Sequence, residues 1–251
     1  MKILNLLFFL PYFLFGVGSA KAQTKITFLD SVSLQCETGV DLNKISFRGL
    51  DVVSDKVVWV SGSKGVFGKS IDGGKTFKIS RIKDYDSSDF RSIKAFNADQ
   101  AIVASSGSPG YILKTFDGGE TWKKVFEDKR KEFFIDAIDF WDHENGVIIG
   151  DPIDDRFVLY KTIDGGNTWH PLDTSMRPWA IPGESLFAAS GTSFRCMPKK
   201  SIGFVTGGSI SVFHWLQIDK KYQRFELKSM KQGKPSEGAF SFDFNDKYIA
   251  I

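Results

Sequence analysis

Histidine and cysteine are scarce in this chain, with three of one and two of the other in 251 residues. His143, His170 and His214 stand far apart and have no metal-ligand spacing, so no metal site is expected. Cys36 and Cys196 lie 160 positions apart, and that spacing leaves open a bridge or two separate small core residues. No glycine-rich phosphate loop opens a helix and no dinucleotide fingerprint occurs, so no cofactor is expected. Charge of one sign is also lacking. Beyond residue 22, which removes Lys2 and Lys21 from the 33 basic residues, 31 remain against 30 acidic ones, and nucleic acid is not an expected partner.

Long apolar runs are missing too, apart from Ile3 to Val17. That run follows Met1-Lys2 and ends in Ala20-Lys21-Ala22, a small-x-small site before Gln23, which predicts a secretory signal peptide over residues 1–22. It is short for a permanent span and no second run of spanning length follows. The expectation is an exported protein, in the periplasm, at the cell surface or outside the cell. No membrane span is expected after cleavage, and one domain covers residues 23–251.

What the chain has in quantity is glycine and phenylalanine, 24 of each, which suits short strands between tight turns. One stretch occurs three times: Lys69-Ser70-Ile71-Asp72-Gly73-Gly74-Lys75-Thr76-Phe77, Lys114 to Trp122, and Lys161 to Trp169. The aspartates are 45 and 47 residues apart, a period typical of four-stranded propeller blades. Asp followed by Gly-Gly is hairpin chemistry, with glycines at positive φ and a carboxylate that accepts from the turn's own amides. Asp72, Gly74 and Thr76, then Asp117, Gly119, Thr121 and Trp122, then Asp164, Gly166, Thr168 and Trp169 are therefore read as structural, each Thr and aromatic opening the next strand. The pattern resembles the Asp-box of sialidase-type propellers. That resemblance implies an all-β propeller whose boxes join the two outer strands of each blade, on the face away from function.

Three blades follow from the boxes, beginning near Ser46, Phe90 and Ile135. A fourth, from Ser193 to Tyr222, has Asp219-Lys220-Lys221 where the glycines should be. A fifth begins with Phe240 to Phe244 and Tyr248 to Ile251. Four blades and the start of another leave an apolar edge, so the reading at this level is a truncated piece of a longer ring, with a five-bladed ring as the alternative. Ile26 to Leu29 is expected to complete the last blade.

Aligning the blades exposes a second repeated position. Arg48, Arg91 and Arg195 each follow a Phe at the start of a first strand, and Asp136 takes that place in blade three. First strands line the central channel, so these residues are expected to recur around its mouth. Loops after the second strands point to the same face, as does the long Pro171 to Thr192 loop, which holds Arg177, Trp179 and Glu184. The candidate site is therefore Arg48, Arg91, Arg195, Asp136, Asp151 and Glu184, binding a protein or an anionic ligand. The competing reading has each arginine paired with Asp136, Asp151 or backbone carbonyls to hold the blades together.

A catalytic alternative would be a glycan-active or glycan-binding relative of sialidases, with Asp151 and Glu184 as acid and base. No Arg-Ile-Pro signature stands near residue 23, and the tyrosines have no evident Glu partner, so no catalytic residue is assigned. Ser46-Phe47-Arg48-Gly49-Leu50, Gly146 to Pro152 and the three boxes resemble the photosystem II stability and assembly factor family. Pro182-Gly183-Glu184 with Phe187 to Thr192 is similar to its exported members in non-photosynthetic bacteria. The resemblance implies a non-catalytic assembly factor that holds a protein partner on an arginine-rich face, by match Arg48, Arg91 and Arg195. Asp136 departs from that pattern and weakens the basic patch.

Overall fold

The computed structural model describes residues 31–188 and 191–251. The signal peptide expected over residues 1–22 and the strand expected at 26–29 lie outside the described residues. Four antiparallel four-stranded blades follow one another, and their second and third strands read as nearly unbroken apolar runs because each blade is sandwiched between neighbours. Blade one is Phe47–Val52, Val58–Gly62, Val66–Ser70 and Thr76–Arg81. Blade two is Asp89–Ala95, Ala101–Ser106, Gly110–Thr115 and Lys123–Asp128. Blade three is Ile135–Phe140, Gly146–Ile153, Arg156–Thr162 and the two-residue strand His170–Pro171. Blade four is Phe194–Met197, Ser201–Val205, Val212–Gln217 and Lys221–Glu226. Asp243–Phe244 pairs with Ile249–Ala250 to begin a fifth unit. The chain is an all-β propeller.

Each seam between blades is a separate apolar core. Trp59, Phe67, Phe90 and Leu113 fill the first seam. Ile112, Phe133, Ile148 and Trp169 fill the second, and Phe157, Phe194 and Phe204 the third. Phe213 and Phe242 join blade four to the fifth unit. The other face of blade one is covered from the N-terminal side: Ser33–Cys36 adds a parallel fifth strand to Thr76–Arg81, and Val32, Leu34, Val40 and Leu42 pack on Val66 and Ile79.

The three boxes are near copies at atomic level. The hydroxyls of Ser70, Thr115 and Thr162 each donate to their Asp Oδ1 at 2.8 Å and accept from the N–H of Gly74, Gly119 and Gly166 at 2.9 Å. Oδ1 of Asp72, Asp117 and Asp164 also accepts from the N–H of Thr76, Thr121 and Thr168 at 2.9–3.0 Å. The Thr121 hydroxyl and N–H hold the Asp117 carboxyl at about 2; burial opposes this at Asp164, but the Thr168 hydroxyl and N–H outweigh it and hold that carboxyl at about 2 as well. In blades two and three the outermost strand starts after the box aromatic, at Lys123 and His170, whereas in blade one it starts at Thr76. Blade four makes its outer hairpin with Asp219 at φ 62°, replacing the glycines.

Lysines that open the boxes tie one blade to the next. Lys69 Nζ donates to the carbonyls of Ala98 and Gly118 at 2.9 Å, and Lys114 Nζ to Gly165 at 2.7 Å. Burial pushes both amines below the usual lysine value. Between the first strands of three successive blades, Lys94 of blade two lies 3.2 Å from Asp139 of blade three and 3.8 Å from Asp51 of blade one. The same two aspartates accept from neighbouring blades, Asp51 from Ala95 N–H at 2.7 Å and Asp139 from Cys196 N–H at 2.9 Å. Cys36 and Cys196 are free thiols.

Candidate functional site

Strand direction decides which residues share a face. The first glycine of each box, Gly73, Gly118 or Gly165, donates its N–H to the carbonyl of Lys56, Asp99 or Glu144 in the turn between that blade's first two strands. Boxes and first turns therefore occupy one end of the blades. Phe47, Phe90, Ile135 and Phe194 lie at the other end, opposite the closing residues of the second strands, Gly62, Ser105, Gly150 and Phe204.

At that end Arg48, Arg91 and Asp136 each sit in a bulge. The ladder register jumps between Phe47 and Gly49, between Phe90 and Ser92, and between Ile135 and Ala137. A bulge leaves its extra residue unpaired and re-aims the side chain. Blade four is different: Arg195 keeps its place in the ladder opposite Gly203. Sequence alignment of the four positions thus concealed a difference in backbone.

The surroundings of the four also differ. Arg48 is half-buried, and among the described residues it makes no ion pair and its buried Nε has no hydrogen-bond partner. Arg91 Nε donates to Asp89 Oδ2 at 2.7 Å, and its guanidinium lies 6.0 Å from the Phe134 ring. Arg195 Nη1 donates to the carbonyls of Phe194 at 3.1 Å and Gly191 at 3.4 Å. Asp136 is 1% exposed with one oxygen unpartnered. Burial pushes its carboxyl well up, the neighbouring Asp151 adds to this, and Arg91 opposes it. Asp151 is half-buried, accepts from Leu186 N–H at 3.0 Å, and is also raised by burial.

The structure brings Arg91, Asp136 and Asp151 together but places Glu184 elsewhere. Asp136 and Glu184, 1% and 3% exposed, offer no open oxygen to a ligand, which corrects their inclusion as contact residues. Glu184 lies in the seam between blades three and four. It starts a short strand, Glu184–Ser185, that pairs with Gly207–Gly208, which in turn pairs with Lys234–Gly238. Glu184 Oε1 lies 2.6 Å from His214 Nε2 and accepts from Thr206 Oγ1 at 2.7 Å, while Oε2 accepts from Ile181 N–H at 3.1 Å. His214 Nδ1 is 2.8 Å from the Tyr222 hydroxyl. The consistent assignment is a neutral imidazole donating to Glu184 and accepting from Tyr222. Burial works against the Glu184 carboxylate, but its donors outweigh that and hold it below the ordinary value; burial likewise pushes His214 down against the opposing pull of Glu184.

This cluster was invisible in the spacing of the histidines. Its one local signal is the hairpin around Asp219, which puts His214 directly across from Arg224 and Leu216 across from Tyr222. Two hollows, about 440 Å³ beside Arg81 and Gly119 and about 310 Å³ beside Lys94 and Trp141, are not lined by Arg48, Arg91 or Arg195. Among the described residues no group of three or more His, Cys, Asp or Glu side chains could hold a metal, and no helix is long and apolar enough to cross a membrane.

Comparison with known proteins bears on the fold and on one segment. No curated protein matches the sequence. The family model described as photosynthesis system II assembly factor YCF48 matches residues 104–197, from the second strand of blade two to the first strand of blade four. A structure of the α-L-arabinofuranosidase Arb93A from Fusarium graminearum is 13% identical with a TM-score of 0.50, over 76% of this chain and 68% of that one. YCF48 bound to D1 peptide is 14% identical with a TM-score of 0.44, over 72% and 67%. YCF48 from Cyanidioschyzon merolae is 14% identical with a TM-score of 0.34, over 80% and 90%. At these identities the likeness is one of fold. Blades, boxes and the matched segment together make the chain a BNR-repeat β-propeller that resembles the photosystem II assembly factor family.

Proposed function

We propose that this chain is an exported, non-catalytic propeller that holds a protein or anionic ligand on the face opposite its Asp-boxes. One observation carries the reading: Arg48 and Arg195 stand at that end of the innermost strands without a carboxylate partner among the described residues. An unneutralised, half-buried guanidinium is costly to keep and suited to an acidic group. Arg91 supports the same patch, already half-satisfied by Asp89. The matched family is described as an assembly factor, which is a binding role. Export rests on the leader-like composition of residues 1–22.

The test is titration of a fluorescein-labelled oligoglutamate peptide onto the protein lacking residues 1–22. Salt-sensitive binding, weakened at least about tenfold by Arg48→Gln with Arg195→Gln and with Tm held, is the expected result; tenfold corresponds to about 1.4 kcal/mol. Unchanged binding in that variant would end the reading. Turnover of chromogenic arabinosides or sialosides that Asp151→Asn abolishes would replace it with the enzymatic one.

A further inference from the structure

The long loop carries a second, differently built feature at the same end of the blades. The backbone of Trp179 is pinned to blade three: it bridges to Arg156, while Phe157 N–H donates to the Pro178 carbonyl at 3.0 Å and Ala180 N–H to the Asp155 carbonyl at 2.9 Å. Although held this firmly, its indole remains 39% exposed. The Arg224 guanidinium lies 4.4 Å from the ring. Arg156 and Arg177 flank it, Arg156 donating to the Arg177 carbonyl at 3.0 Å.

Exposed Asp154 and Asp155 precede Arg156 in the chain, but among the described residues neither lies within 4.0 Å of an arginine here. Among the described residues, the one carboxylate within 4.0 Å of any of these three arginines is Glu184, 3.7 Å from Arg224 and already supplied with donors by His214, Thr206 and Ile181. Among the described residues, the buried Nε of Arg177 and the buried Nε and Nη2 of Arg224 have no hydrogen-bond partner, so a ligand carboxylate would act on these guanidinium groups through their charge and their outward nitrogens. The buried Glu184–His214–Tyr222 set fixes the floor under this group, so the exposed Trp and Arg are held in place before any partner arrives. A rigid aromatic beside unsatisfied guanidinium groups is the residue chemistry of an interface anchor.

We propose that Trp179 and Arg224 form an outer contact for an acidic peptide segment bearing an aromatic side chain, the ring stacking on Trp179 and a neighbouring carboxylate meeting the arginines. The proposal rests on the channel-mouth reading and extends that surface outward along the seam between blades three and four. An acidic segment supplies the charge, and the aromatic covers apolar area that the fold leaves open.

Two probes test it: a fluorescein-labelled oligoglutamate peptide with one central phenylalanine, and the same peptide with alanine there. The wild-type chain is expected to prefer the first by about tenfold. Trp179→Ala should erase that preference and Trp179→Phe should keep most of it, while Arg224→Gln weakens both probes. If Trp179→Ala leaves the preference intact, or there is none, this contact is wrong, and the mouth reading survives provided Arg48→Gln with Arg195→Gln still weakens both probes. Absence of binding to either probe by the wild type overturns both.

Discussion

Replacing Glu184 with glutamine removes one charge and almost no volume from the seam between blades three and four. The carboxylate takes part in three hydrogen bonds, with His214 at 2.6 Å, Thr206 at 2.7 Å and Ile181 at 3.1 Å, and its side chain is fully buried. A bond to a charged acceptor exceeds a neutral one by about 1 kcal/mol, so three bonds lose about 3 kcal/mol. For a domain of this size that lowers Tm by roughly 6–12 °C. Differential scanning calorimetry at pH 7.5 measures it, with Ser185→Ala as a nearby control. The pH dependence follows from the direction of the shifts. Both Glu184 and His214 have folded values below their ordinary ones, so the folded state binds fewer protons. The His214 contribution is complete above its unfolded value of about 6.5 and is lost as pH falls through its lower folded value. The Glu184 contribution goes later, below about 4.3. The contribution of this network should therefore decline from neutral pH toward pH 4, while the raised carboxyls of Asp51, Asp136 and Asp151 work the other way. A Glu184→Gln protein melting within about 2 °C of wild type would refute the reasoning, since it would mean the network contributes no more than a neutral one.

Three further outcomes follow. Lys94→Met leaves Asp51 and Asp139 near one another without the cation between them and should cost about 1–3 kcal/mol at pH 7.5 by urea unfolding, discounted because Lys94 is a quarter exposed. That penalty should shrink as pH falls toward 4, because burial already raises the Asp51 carboxyl and it takes up a proton early. Thr162→Val removes the buried hydroxyl that links Asp164 to Gly166 and should cost about 1–3 kcal/mol, measured the same way. Reductant should move Tm by less than about 1 °C, because Cys36 and Cys196 form no bridge, and Cys36, the exposed thiol, should react first with a thiol reagent.

The blades were legible because their signals are local. A box of nine residues marks the outer hairpin of blades one to three, and the hydrogen bonds to its aspartate close within the box itself. Blade four was legible without a box, since Val212–Gln217 and Lys221–Glu226 still read as strands about a turn. What was not legible depends on register and on distant partners. Arg48 and Arg195 read alike in sequence, yet one sits in a bulge and the other in a regular ladder. Asp136 looked like a mouth residue, but the bulge and the Asp151 neighbour bury it. Glu184 and His214 are thirty positions apart and meet only because the long loop folds back across blade four.

The most direct measurement of the central claim is hydrogen exchange of the chain with and without the oligoglutamate probe. The account predicts new protection around residues 47–49, 90–92 and 194–196, with none at the boxes of residues 70–77, 115–122 and 162–169. Protection centred on the boxes, or none at the arginine-bearing ends of the inner strands, would contradict it.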